Sequence, residues 1–187
     1  MFIQTEPTPN PATLKFLPGR TVLASGTLDM RDKAAAAQSP LAERLFEIAG
    51  ICGVFFGSDF IAVTKDRGEW QQLKPAILGA IMEQFMTGGE LLHSKDGVAA
   101  AAVDEIFEAK DTDTVATIKE LIETRVRPAV ANDGGDITFR GFKDGVVYLD
   151  MKGACSGCPS STATLRHGIQ NLLRHYLPDV VEVRPMG

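Results

Sequence analysis

A short acidic stretch divides this chain, and that division limits the fold more than any other feature of the sequence. Residues 96–113 hold six acidic side chains and one basic side chain, whereas the parts before and after them are close to neutral. Alanine and carboxylates dominate the stretch, which is typical of a solvated, self-repelling linker. A short helix over Val103–Phe107 is also compatible with the pattern. We therefore expect two small domains, 1–95 and 114–187, instead of one continuous core.

Composition argues against several classes of protein. The chain has 187 residues, is 44% hydrophobic, and contains no apolar run near the ~20 residues of a membrane span. Neither flanking part has the basic excess of a nucleic-acid binder. The start, Met1–Glu6, has the pattern of neither a signal peptide nor a transit peptide. Three cysteines fit a reducing compartment. We expect a cytoplasmic bacterial protein without membrane or nucleic-acid partners, or the mature form of a mitochondrial matrix protein.

The first domain is predicted to be α+β. A helix is expected to begin at Ser39-Pro40, a cap followed by proline, and to end at Gly50. A second helix should end at Gly88 after apolar residues spaced by four. The predicted strands are Phe2–Gln4, Thr13–Leu17, and a hairpin formed by Val54–Phe56 and Phe60–Val63.

The second domain is predicted to have the order α-β-β-loop-α-β, with two helices on a three-stranded sheet. Asp113 is expected to cap its first helix, which Pro128 should weaken near Arg127. Asp144-Gly145 is a strong signal for a hairpin turn. The other predicted elements are the strands 137–142, 146–151 and 180–183 and a helix that starts at Ser160 or Ser161.

Cys155 and Cys158 lie in the loop between the second strand and the second helix of this domain. Gly153 and Gly157 permit a tight turn that aims both sulfurs the same way. The helix start should lower the pKa of the thiol at Cys158, and we expect both thiolates to be accessible. A zinc ion or an iron–sulfur cluster usually needs four protein ligands. The pair is therefore half of a site, and a second copy of the chain is expected to supply the other half.

Three other interpretations of the two cysteines remain open. They could be structural, or they could form a thioredoxin-like redox pair, although the short order of elements lacks the usual βαβ context. They could also bind zinc with His167 and His175, whose spacing lies outside the usual range. We favour soft thiolates shared between two chains around an iron–sulfur cluster.

The remaining candidate residues have structural interpretations. Cys52 is expected to behave as a small buried hydrophobe. Asp133 and Asp136 flank two glycines and are expected to make local turn hydrogen bonds. Arg125 and Arg127 are interpreted as solvated helix charges in preference to a protein-binding surface.

Two groups of motifs carry a family resemblance over almost the whole chain. The first lies in residues 1–60 and consists of Met1–Thr5, Thr8–Pro11, Leu14–Phe16, Ser39–Ala42 and Val54–Phe60. The second consists of Ile118–Leu121, Arg125–Pro128, Asp133–Asp136 and Cys155–Ser161. With these motifs the chain resembles Nfu-type proteins of the NifU-like iron–sulfur carrier family, in their short form.

The resemblance implies a fold and a function. It implies an α+β Nfu N-terminal domain, an acidic linker and a NifU-like C-terminal domain. It implies a non-enzymatic carrier in which Cys155 and Cys158 of two subunits bridge one [4Fe–4S] cluster. The cluster would be assembled on an upstream scaffold protein and passed to apo-proteins. Whether [2Fe–2S] substitutes stays open, as does the alternative of a dithiol redox or zinc-binding adaptor.

Overall fold

The computed structural model describes residues 2–93, 105–156 and 159–186. The chain forms two compact units, Met1–Ala100 and Ala101–Gly187. Cys158 and residues 96–104 of the expected linker lie outside the described residues. In the described ranges no helix is both long enough and apolar enough to cross a membrane. The exact domain boundaries proposed from the sequence stay predictions.

The first unit contains a five-stranded antiparallel sheet with the order β1-β2-β5-β4-β3. Its strands are β1 (Gln4–Pro7), β2 (Thr13–Leu17), β3 (Leu28–Met30), β4 (Ile51–Phe56) and β5 (Ile61–Lys65). The predicted hairpin is therefore confirmed as β4–β5. The first strand begins later than predicted and includes Pro7, which an edge strand tolerates because its missing N–H need not pair.

Three helices complete the first unit: α1 (Lys33–Ala36), α2 (Pro40–Glu47) and α3 (Trp70–Thr87). The predicted start of α2 is confirmed, because the Ser39 hydroxyl accepts a 3.3 Å hydrogen bond from the Ala42 N–H. The predicted end of α3 is also confirmed. Gly88 ends it with φ 64°, a left-handed conformation that glycine adopts without strain.

The second unit is a four-stranded sheet covered by helices. Its elements are β6 (Ile106–Phe107), α4 (Thr112–Leu121), α5 (Arg127–Asn132), β7 (Gly135–Lys143), β8 (Val146–Gly153), α6 (Pro159–Tyr176) and β9 (Glu182–Pro185). A 3₁₀ turn over Ala109–Asp111 precedes α4, and a π-helical segment, Ile122–Val126, joins α4 to α5. The strand order is β6-β7-β8-β9, with the central pair antiparallel and both outer pairs parallel.

Strand β6 corrects two expectations. Ile106 and Phe107 form a strand against Gly141 and Phe142, so they belong neither to a short helix nor to a free linker. The sheet consequently has four strands instead of three. A two-residue strand has no periodicity of its own to detect, and its pairing depends on Gly141. A Cβ at that position would lie 2.6 Å from the Ile106 carbonyl oxygen.

The helices of the second unit pack against one face of the sheet. Apolar side chains of α4, the π segment, α5 and α6 share a buried cluster with alternate residues of β7 and β8. The Asp144-Gly145 hairpin turn is confirmed, and both residues have positive φ. One detail differs from prediction. Asp113 lies inside the first turn of α4 and does not cap it. The chain stays helical through Pro128, and the helix type changes at Arg127, where the π-helical segment ends and α5 begins.

Candidate metal centre

The β7–β8 hairpin brings the two most specific motifs of the sequence together. Gly135, in the Asp133–Asp136 motif, pairs in register with Gly153, which opens the cysteine loop. The Ala154 N–H donates a 3.2 Å hydrogen bond to the carbonyl of Gly134. The two motifs therefore form one local structure, the start of β7 against the end of β8.

Cys155 is buried against the Asp133–Asp136 motif. It is 5% exposed and belongs to the apolar cluster of the second unit. A Cβ added at Gly135 would lie 2.8 Å from Cys155 Sγ and 2.6 Å from the carbonyl oxygen of Lys152. Only glycine leaves this space, so Gly135 determines how closely the sulfur can approach the strand.

Hydrogen bonds fix the backbone of the cysteine loop. Gly153 has φ 67°, and its carbonyl accepts bonds from the Ser156 N–H at 3.1 Å and the Ser156 hydroxyl at 2.8 Å. The Thr162 hydroxyl, in the first turn of α6, donates a 2.8 Å bond to the Cys155 carbonyl. The loop is thus held from both the strand that precedes it and the helix that follows it.

Cys155 is not the accessible thiolate that we expected from the sequence. Burial, together with the smaller effect of the nearby carboxylates of Asp133 and Asp136, raises the pKa of the Cys155 thiol to about 12. The expectation of an accessible thiolate is wrong for Cys155, because the sulfur packs against Gly135 instead of standing free at the loop tip. The corresponding expectation for Cys158 lies outside the described residues.

Asp136 forms a partly buried ion pair that the sequence analysis did not foresee. Its side chain is 7% exposed and receives two bonds from Arg127, Nε to Oδ1 at 2.9 Å and Nη2 to Oδ2 at 3.1 Å. Oδ1 also accepts from the Ile137 N–H, so the local turn bond expected of Asp136 is present. Hydrogen bonding to Asp136 is the main cause of a raised pKa at Arg127.

Arg127 was expected to be a solvated helix charge, and this expectation is wrong. Besides Asp136, its guanidinium binds Glu123 one helical turn earlier at 2.7 Å. The intervening π-helical segment has a wider turn than an α-helix and so shifts which side chains face the sheet. Arg125 does remain exposed, with its guanidinium 5.4 Å from the ring centre of Tyr176.

The other sequence candidates belong to other elements of the structure. His167 and His175 are exposed on α6. Cys52 lies on β4 of the first unit, half-buried, with its thiol 3.6 Å from the carbonyl of Thr64. Within the described ranges no three His, Cys, Asp or Glu side chains are placed to hold a metal ion. One chain therefore offers Cys155, and the predicted second ligand, Cys158, lies outside the described residues.

Comparison with known proteins identifies both halves of the chain. Residues 3–88 match the family model "Scaffold protein Nfu/NifU N terminal", and residues 118–184 match "NifU-like domain". The chain belongs to the Nfu/NifU family. The human "NFU1 iron-sulfur cluster scaffold homolog, mitochondrial" is 50% identical over 182 residues, which cover 96% of this chain and 70% of the human protein.

Two further proteins are similar to this chain. "NifU-like protein 4, mitochondrial" of Arabidopsis thaliana is 51% identical over 96% of this chain, which spans 64% of that protein's length. A solution structure of a NifU-like protein from Saccharomyces cerevisiae aligns with 51% of this chain and 87% of its own, at 28% identity and a TM-score of 0.46. The predicted α+β fold, with an Nfu N-terminal and a NifU-like C-terminal domain, is confirmed by the family matches.

Proposed function

We propose that this chain is a non-enzymatic carrier of iron–sulfur clusters. In the proposal, Cys155 and Cys158 of two copies hold one [4Fe–4S] cluster, which is then handed to apo-proteins that require it. The observation that carries the proposal is the convergence of the cysteine loop with the Asp133–Asp136 motif in a chain of the Nfu/NifU family. The human relative, which is named an iron–sulfur cluster scaffold homolog, supports it.

The donor set fits an iron–sulfur cluster better than a hard cation. Thiolates are soft ligands and favour iron–sulfur clusters, zinc or copper(I) over magnesium or calcium. A [4Fe–4S] cluster in its usual form takes four cysteine ligands. Since one chain contributes two cysteines from this loop, two chains complete the set. Zinc ligation by His167 and His175 gains no support, because both lie exposed on α6.

The carrier role assigns different tasks to the residues of the site. The cluster is the cargo, and Cys155 and Cys158 are its proposed ligands. Gly135, Thr162 and the bonds to Gly153 position Cys155 at the end of β8. Partners in this proposal are a second copy of the chain, an upstream scaffold and apo-protein clients. The compartment is also a proposal, either the bacterial cytoplasm or the mitochondrial matrix. The human and Arabidopsis relatives are named as mitochondrial proteins.

Anaerobic reconstitution followed by transfer tests this function. The full chain, incubated with iron and sulfide, should turn brown with broad absorption in the visible range. After removal of unbound iron it should restore activity to an apo-enzyme that needs a [4Fe–4S] cluster. Free iron and sulfide at the same concentration are the control and should act more slowly. A colourless protein that binds zinc, or that only cycles between dithiol and disulfide, would contradict the proposal.

A further inference from the structure

Two carboxylates lie close to Cys155, and a cation binds only one of them. Asp136 is 7% exposed and holds the guanidinium of Arg127 through two bonds. Asp133 is half-buried, and among the residues that the structure describes no side chain or backbone N–H binds its carboxylate. The turn bond expected of the Asp133 side chain is therefore not formed within this part of the chain. Asp133 consequently brings an uncompensated negative charge to the cysteine loop.

Backbone contacts place Asp133 next to the cysteine loop. The residue after Asp133 is Gly134, whose carbonyl oxygen accepts a 3.2 Å bond from the Ala154 N–H. Ala154 directly precedes Cys155. Gly135 comes next on the other side, and a Cβ there would lie 2.8 Å from Cys155 Sγ. The electrostatics agree with this placement: after burial, the charge of Asp133 is the main cause of the raised pKa of Cys155, ahead of the second carboxylate.

The charge of Asp133 is also unfavourable for the helix that it ends. Asp133 is the C-cap of α5, the last element of a helical run that begins at Thr112. The C-terminus of a helix carries a partial negative charge, which repels a carboxylate. A neutral side chain at this position should therefore leave the fold intact.

A cluster held by the cysteine loop would be negatively charged. The core of an oxidised [4Fe–4S] cluster carries two positive charges, and four cysteine thiolates outweigh them. A carboxylate near one of the ligands therefore repels the bound cluster, and two chains contribute this repulsion twice. The repulsion also disfavours reduction, because the reduced cluster carries one more negative charge.

We propose that Asp133 weakens the hold of the cysteine loop on its cluster and so speeds transfer of the cluster to an acceptor protein. This inference rests on the proposed function. Transfer is a ligand exchange, in which an iron–sulfur bond to Cys155 breaks as a bond to an acceptor thiolate forms. The proton of the acceptor thiol passes to Cys155, and no electron is exchanged. Asp136 contributes less, because Arg127 offsets its charge.

Three substitutions of Asp133 and one matched control, all in the full chain, test this role. Asp133→Asn and Asp133→Ser remove the charge, whereas Asp133→Glu keeps it. Asp113→Asn removes the same charge from the first turn of α4, at the opposite end of the helical run. After anaerobic reconstitution, the loss of visible absorption in excess iron chelator measures the rate of cluster release.

The two neutral variants of Asp133 should take up as much cluster as the wild type and release it about fivefold more slowly at low salt. Asp133→Glu and Asp113→Asn should release it at the wild-type rate. The difference should shrink in about 1 M salt, where the charge is screened, and a purely structural effect would not depend on salt. The reduction potential of the cluster should become more positive in the neutral variants.

The outcomes separate this inference from the proposed function. A wild-type chain that takes up no cluster would overturn both. A loaded wild-type chain whose neutral Asp133 variants release the cluster equally fast or faster, or take up less of it, would overturn this inference alone. The same conclusion would follow if Asp113→Asn slowed release as much as Asp133→Asn, or if Asp133→Glu behaved like the neutral variants.

Discussion

Each unit contains a free cysteine, Cys52 in the first and Cys155 in the second, and the surroundings of the two thiols differ. Burial raises the pKa of both thiols, and the pKa of Cys155 reaches about 12. Cys52 lies within a strand, where its backbone belongs to the sheet. Cys155 follows a strand, in a loop that glycine and hydrogen bonds shape from both sides. Cys155, the proposed ligand, therefore differs from Cys52 in its loop setting as well as in its deeper burial.

The largest expected difference between the two cysteines is in iron content. Cys155→Ala or Cys158→Ala should abolish stable cluster binding, because each change removes two of four thiolates from a two-chain site. Cys52→Ala should keep the full iron content and lose about 1 kcal/mol of stability from a small void. Iron and sulfide analysis after identical anaerobic reconstitution measures the effect. Loss of iron in Cys52→Ala would break the comparison and add the first unit to the site.

Substituting the glycine next to each cysteine sharpens the comparison between Cys52 and Cys155. Gly135→Ala forces a contact with a backbone carbonyl and with Cys155 Sγ, so it should cost about 1–3 kcal/mol and lower the iron content. Gly53 is the neighbour of Cys52. The Cβ of Gly53→Ala would lie 3.3 Å from the Thr64 Cβ and no closer than 3.6 Å to the next atoms, so iron content should stay unchanged. Urea unfolding and iron analysis of both variants provide the measurement. Similar iron content in the two would show that the close approach to Cys155 is unimportant for binding.

Two ion pairs give a smaller contrast between the units. Arg127→Gln leaves Asp136 buried without Arg127 and should destabilise the second unit by about 2 kcal/mol. Breaking a fully buried ion pair would cost more, but the Arg127 side chain is 34% exposed. Arg44→Gln removes an exposed pair with Glu83 in the first unit and should cost below about 0.5 kcal/mol. Denaturant unfolding measures both. An equal cost would mean that the Arg127 pair contributes no more than a surface pair.

Several local features of this chain were predictable from sequence, although the Asp113 cap was predicted wrongly. Important contacts between distant residues were missed. The Ser39 cap and the Asp144-Gly145 turn were predicted because each depends on its immediate neighbours. The burial of Cys155 was missed because it depends on Gly135, which reaches it only through strand pairing. The bond from Arg127 to Asp136 depends on a π-helical segment for which the sequence has no simple signal.

The central claim is that two chains share one cluster, and native mass spectrometry of the reconstituted full chain tests it most directly. We predict a species containing two chains and one [4Fe–4S] cluster, with about four irons per pair. Removing the metal with a chelator should convert that species to the cluster-free form and weaken the association of the two chains. A single chain that carries a complete four-iron cluster would contradict the account.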